Sequence, residues 1–162
     1  LEEVKKEHKG HVIIAPHPDD EIIGCHSALV REKPVIIYFG DIENERREEA
    51  LKLRDNVDIS MQLFLNSIPP PFINEQVTLY FPDPSTELHP KHRMIGSIGE
   101  QILRQGINVI FYSTNMNAPY IYEVKEWEKK LDLLNNVYPS QKSLWEYDRR
   151  YVLFEGYCKW IM

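Results

Sequence analysis

Two short, uninterrupted apolar runs constrain this chain more than anything else in it. Val12-Ile13-Ile14-Ala15 and Val35-Ile36-Ile37-Tyr38-Phe39 show no alternation of polar and apolar residues, so neither suits a sheet with one face in water. Such runs belong to strands buried on both faces, the situation of a parallel sheet covered by helices from either side. The segment between them, Glu21 to Lys33, has room for a helix of about three turns. Strand, helix and strand make a βαβ unit.

The remaining chain continues that alternation. Glu43 to Asn56 is rich in helix formers, with Glu43 and Arg47, then Glu48 and Lys52, at i,i+4 spacing. Met61 to Leu65 and Val77 to Phe81 read as strands, and Pro69-Pro70-Pro71 between them predicts a stiff, extended loop. Ile95, Ile98 and Ile102 recur at helical spacing before a stop at Gly106, and Ile107 to Tyr112 is again a buried strand. Val124, Trp127, Leu131 and Leu134 line one face of a further helix, and Ser140 is placed to cap a short one. The aromatic tail, Tyr147 to Trp160, has no clear class. The pattern predicts α/β architecture: a single three-layer, Rossmann-like domain over residues 1–162 with a mostly parallel sheet.

Composition narrows the function classes. Hydrophobic residues are 43% and charged residues 27% of the chain, a globular balance, and a net charge of -6 argues against a surface that tracks nucleic-acid phosphates. No apolar run approaches the roughly 20 residues of a membrane span. The charged start, Leu1 to Glu7, lacks a secretory apolar region, and what preceded Leu1 is left open. Cys25 and Cys158 have neither zinc-ribbon nor disulfide-framework spacing, which fits a reduced, cytoplasmic setting. Homo-oligomer formation is left open.

The chemistry-bearing segment is Pro16-His17-Pro18-Asp19-Asp20-Glu21. It follows the first strand directly, and ligands in open α/β sheets gather beyond the carboxyl ends of strands. Asp19, Asp20 and Glu21 can be read simply as acids favouring a helix N-terminus. A histidine three residues before Asp20, at the end of a buried strand, favours a metal instead, and a cation would relieve the repulsion of three adjacent carboxylates. His89-Pro90-Lys91-His92 supplies a third ligand, although two solvated loop histidines are the plainer reading of that segment alone. Together, His17, Asp20 and His92 make an economical ligand set with an open position, as catalytic zinc requires. The same residue types form the facial triad of non-haem iron oxygenases. There, one residue usually separates the first histidine from the carboxylate on an all-β scaffold; two residues and an α/β pattern favour zinc, with another divalent metal as the alternative.

Ala15-Pro16-His17-Pro18-Asp19-Asp20-Glu21, with Gly24-Cys25 after it, resembles the signature of the LmbE-like (PIG-L) N-acetylglucosamine deacetylases. His89-Pro90-Lys91-His92 is similar to the later His-Pro-Asp-His motif of that family. Arg46-Arg47-Glu48-Glu49-Ala50 resembles its Arg-x-x-Glu helix, and Tyr138-Pro139-Ser140-Gln141 a Ser-Gln element near its end. The resemblance runs from about residue 11 to 155. It implies zinc at His17, Asp20 and His92, Asp19 as general base, His89 as an imidazolium that stabilises the oxyanion or protonates the leaving amine, and Arg46 as a substrate-binding residue. A helix-surface arginine paired with glutamate is the alternative for Arg46. The implied activity is hydrolysis of an N-acetyl group from a small amino sugar or glycoconjugate. Two alternatives stand beside it: a zinc amidase for a non-sugar N-acyl compound, and a non-catalytic binding domain.

The chain departs from that pattern in two places. Lys91 stands where the family has aspartate, and His26-Ser27 where it has glycines. His26 is expected on a helix away from the pocket, His8 and His11 at the surface, Cys25 in apolar packing, and Trp127, Trp145 and Trp160 in a core or interface.

Overall fold

The computed structural model describes residues 8–159. Among them, seven strands form one sheet: β1 (Gly10–Ala15), β2 (Val35–Phe39), β3 (Met61–Leu65), β4 (Val77–Pro82), β5 (Asn108–Ser113), β6 (Tyr120–Glu123) and β7 (Phe154–Tyr157). Their order is β3-β2-β1-β4-β5-β7-β6. The five strands from β3 to β5 are parallel, and β7 runs antiparallel to both β5 and β6. Helices α1 (Asp20–Arg31), α2 (Asn44–Leu51), α3 (Pro90–Leu103), α4 (Trp127–Val137), α5 (Lys142–Tyr147) and α6 (Arg150–Leu153) complete the regular structure. This is a Rossmann-like three-layer α/β fold.

The uninterrupted apolar runs feed two separate cores. Ile13, Ala15, Ile36 and Tyr38 pack on one face with Ile22 and Leu29 of α1 and Leu133 and Leu134 of α4. Val12, Ile14, Val35 and Ile37 pack on the other face with Ile95 and Ile102 of α3. Alternate residues of one strand therefore serve opposite layers, so Val12 to Ala15 and all of β2 are buried whichever face they point to. Glycine sets how closely α3 approaches the sheet: a Cβ on Gly96 would stand 2.4 Å from the Pro82 carbonyl oxygen, and one on Gly99 2.6 Å from the Phe81 ring. That close seat brings the start of α3 beside the end of β1.

Several expectations are corrected. The helix expected over Glu43 to Asn56 is shorter: α2 gives way to a 3-10 turn at Lys52–Asp55, and Arg47 lies over the Phe64 ring at 4.6 Å. The proline loop is not extended throughout, because Pro70–Phe72 forms a 3-10 turn that buries Phe72. Val124 precedes its helix and instead donates its N–H to the Leu153 carbonyl at 2.8 Å. Ser140 caps nothing; its hydroxyl and N–H both donate to the Glu49 carboxylate. The tail holds α6 and β7, while Trp160 lies outside the described residues. No helix among the described residues is long and apolar enough to cross a membrane.

Candidate metal centre

The strand order reverses between β1 and β4, which are neighbours although two strands and two helices separate them in sequence. A crevice opens at such a switch point beyond the carboxyl ends of the strands. His17, Asp19 and Asp20 follow β1, and His92 lies in the first turn of α3, after β4. The topology thus joins the two motifs that the sequence holds 75 residues apart.

The turn after β1 is fixed locally. The Asp20 N–H donates to the His17 carbonyl at 3.1 Å, and the His17 N–H donates to Asp20 Oδ2 at 2.8 Å. Asp19 sits between them with φ 120 and ψ -27, a left-handed conformation unusual for a non-glycine residue. Strain of this kind persists only where the surroundings over-determine it. Here the Asp19 N–H donates to Glu21 Oε1 at 2.8 Å, and the other Glu21 oxygen accepts from the hydroxyls of Tyr38 and Tyr138. Glu21 is therefore an anchor within the core and does not share the crevice with Asp19 and Asp20, which corrects the picture of three carboxylates around one cation. Burial lifts the Glu21 carboxyl to about 7, although the tyrosines and the Asp19 N–H oppose the rise.

Three ligand atoms converge. His92 Nε2 lies 3.2 Å from Asp20 Oδ2 and 3.2 Å from His17 Nδ1, and His17 Nδ1 lies 3.6 Å from Asp20 Oδ2. Ligands at ~2.0–2.1 Å from a tetrahedral zinc ion stand about 3.3 Å from one another, so the triangle has the dimensions of one tetrahedral face. The donor set and its spacing fit a divalent ion, and this His-Asp-His group can hold one. The local charges agree. Burial alone would push the Asp20 carboxyl up, but the imidazoles of His92 and His17 hold it below the ordinary carboxylate range. Burial lowers His92, yet Asp20 and Glu87 together raise it to about 10.

His92 is also gripped from behind, by a residue that the sequence did not reveal. Its Nδ1 lies 3.2 Å from Glu87 Oε1, and Glu87, 3% exposed, accepts from the Thr114 N–H at 3.0 Å and the Thr114 hydroxyl at 2.9 Å. A carboxylate behind a ligating histidine fixes ring and tautomer. Glu87 stands five residues before His92 with no recurring spacing, and Thr114 follows β5, so no local signal pointed to either.

His89 behaves differently. It is exposed and caps α3, its Nδ1 accepting the Lys91 N–H at 3.0 Å. Its ring centroid lies 4.9 Å from that of His17 and 5.3 Å from that of His92. Burial, then the neighbouring His17 and His92, lowers its pKa. The expected imidazolium is therefore disfavoured, and with Nδ1 accepting, Nε2 carries the proton of a neutral ring. Lys91 contributes its backbone N–H to the cap, while its side chain borders the cleft beside Asp41.

Arg46 reaches the same crevice from α2. Its Nη2 donates to the Pro18 carbonyl and lies 3.7 Å from Asp19 Oδ2, while its Nε is buried with no hydrogen-bond partner and stands 3.7 Å from Glu49 Oε1. Two clefts meet here, of 340 Å³ and 480 Å³, sharing His17, Arg46 and Gln141. The smaller contains the metal triad, Asp19 and His89, with Ile23, Leu144 and Tyr151 as its apolar wall; the larger is lined by Asp41, Glu43, Glu45, Lys91 and Ser140. Burial and the adjacent Asp20 push the Asp19 carboxyl well above its ordinary value, with Arg46 opposing.

The other singled-out residues lie apart from the centre. His26 is 4% exposed on α1, and burial lowers it to about 4. Cys25 and Cys158 are free thiols, and burial pushes Cys25 up. His8 and His11 are half-buried rather than at the surface: His8 stacks on Phe72, and His11 contacts the Tyr80 hydroxyl and Glu32 because both rings have apolar or hydrogen-bonding partners to cover them. Trp145 is core, its Nε1 donating to Asn135, and Trp127 is half-buried against the same core.

Comparison of this chain with protein-family models, with curated proteins and with solved structures gave no match. The class that fold and geometry define is an α/β protein with a His-Asp-His centre able to hold a metal ion.

Proposed function

We propose that this chain is a zinc-dependent hydrolase that removes the N-acetyl group from an amino sugar or glycoconjugate. The observation that carries the reading is the triangle of His17 Nδ1, Asp20 Oδ2 and His92 Nε2, with edges of 3.2, 3.2 and 3.6 Å and Asp19 adjoining it. A divalent ion held by His17, Asp20 and His92 would supply Lewis acidity for water activation and carbonyl polarisation.

The chain's own residues do the rest. Asp19 serves as general base, taking the proton of the attacking water and returning it to the leaving amine. In the metal-free protein burial and the adjacent Asp20 raise its pKa; a cation bound beside it would oppose that rise and keep the carboxylate ionised before reaction. The strained backbone at Asp19 and the Arg46 bond to the Pro18 carbonyl hold that carboxylate in one place. Neutral His89, with its proton on Nε2, donates a hydrogen bond to the oxyanion of the tetrahedral intermediate. The Arg46 guanidinium, which borders both clefts, contributes positive charge toward substrate while its buried Nε faces Glu49. The polar cleft of Asp41, Glu43, Glu45 and Lys91 suits a hydroxyl-rich group, which supports a sugar over an apolar amide.

Release of acetate from a panel of N-acetylated amino sugars and non-sugar amides tests the reading. Turnover of sugars, abolished by a chelator and restored by zinc, is expected. Turnover confined to non-sugar amides would overturn the sugar assignment, and none on any substrate by zinc-loaded protein would overturn the hydrolase.

A further inference from the structure

Helix α1 is not continuous. Cys25, in its middle, has φ -132 and ψ 29, which breaks the helical path. In an unbroken helix the Ser27 N–H would donate to the Ile23 carbonyl. Here the Ser27 N–H donates to Glu155 Oε1 at 3.0 Å, and the Ile23 carbonyl accepts from Lys130 Nζ at 2.9 Å. The two polar groups exposed at the break thus each have a charged side chain as partner. Lys130 comes from α4 and is 0% exposed; Glu155 comes from β7 and is 2% exposed.

Neither charge is there by accident of packing. A buried ammonium or carboxylate is costly unless it makes specific hydrogen bonds. Lys130 Nζ also donates to the Phe154 carbonyl at 3.3 Å, and Glu155 also accepts from the Ser27 and Tyr157 hydroxyls. Burial lowers Lys130 to about 8, with the charge of Glu155 opposing. Three elements are tied at one break: α1, α4 and β7.

The half of α1 before the break carries the metal centre. Asp20 is its first residue, and Ile23, whose carbonyl Lys130 holds, lines the cleft. Gly24 lies flush on Tyr112, where a Cβ would stand 2.4 Å from the ring, and the Tyr112 hydroxyl donates to the Ile14 carbonyl at 2.6 Å. Gly24 thus seats the pivot of the bend on β5, and Leu29, fully buried in the core, fixes the second half, so a changed bend displaces the Asp20 end. Asp20 is five residues from Cys25, a lever of ~7.5 Å, so a bend altered by roughly 10° moves Asp20 by about 1.3 Å. Metal ligation tolerates displacements of only ~0.2 Å.

We propose that Lys130 and Glu155 are positioning residues for the metal centre: by satisfying the broken helical bond at Ile23 and Ser27 they fix the bend of α1 that sets Asp20 against His17 and His92. This inference rests on the metal reading of that triad.

Cobalt(II) is the probe, because its visible absorption reports ligand geometry and its titration gives affinity. Lys130→Met is compared with wild type and with Val35→Ala, a truncation in the opposite core. The expected result is at least ten-fold weaker cobalt binding and altered visible bands in Lys130→Met, with neither change in Val35→Ala at matched folded fraction. Wild-type affinity and bands in folded Lys130→Met would overturn the proposal. Should Lys130→Met fail to fold, Glu155→Gln decides by the same two readings. A wild-type protein that takes up no cobalt would overturn the metal reading itself; equal binding by wild type and variant overturns only the role of the bend.

Discussion

The turn after β1 and the loop after β4 both supply metal ligands, but they are made rigid in opposite ways. His17 and Asp20 hold each other through backbone contacts three residues apart, and Asp19 is strained between them. His92 owes its orientation to Glu87, and Glu87 to Thr114 at the end of another strand. The first half of the site is built by local sequence and the second by the sheet. A substitution in the first should therefore act on chemistry or ligation directly, and one in the second through distant partners.

The sharpest break of that comparison is His92→Ala. It removes the ligand that the β4 side contributes among the described residues, and stoichiometric metal and all turnover are expected to vanish together, as metal analysis and acetate release would show. Asp19→Asn, on the β1 side, is expected to keep its metal while turnover falls ~10²–10⁴-fold; retained turnover would remove Asp19 from the base role. Glu87→Gln separates support from ligation: metal affinity is expected to fall ~10–100-fold in competition titrations, with His92 still in place.

Smaller effects come from protons. In chelator-treated protein the folded-state pKa of His92, about 10, lies above its ordinary 6.5. Its contribution to stability is then fully present below pH 6.5 and is lost as pH rises through about 10. Denaturant unfolding of metal-free protein should show that decline, and metal-free His92→Gln should lack it. Metal uptake must displace the same proton, so calorimetry at pH 7 in buffers of different ionisation heat should read about one proton released. For His89→Ala, full metal occupancy is expected, with turnover reduced by the loss of one hydrogen-bond donor and stability lowered by about 1 kcal/mol through loss of the α3 cap.

The same division explains what the sequence could tell. Val12 to Ala15 and Val35 to Phe39 announced doubly buried strands because both faces of the sheet demand apolar residues, and Pro16 to Glu21 announced a site because its ligands sit within four positions. Glu21 misled for the same reason: adjacency suggested a shared cation, whereas Tyr38 and Tyr138, distant in sequence, draw it into the core. Glu87 was invisible because its value depends on Thr114 arriving from β5. Ser140 looked like a cap because its partner Glu49, on α2, cannot be inferred from neighbours. Arg47 and β6 belong with these cases, since a ring beneath a guanidinium and an edge-strand pairing are both long-range facts.

The most direct measurement is anomalous diffraction at the zinc edge from crystals of zinc-loaded protein. One peak is predicted, ~2.0–2.2 Å from His17 Nδ1, Asp20 Oδ2 and His92 Nε2. No peak at that triangle, or a peak held by other residues, would contradict the account.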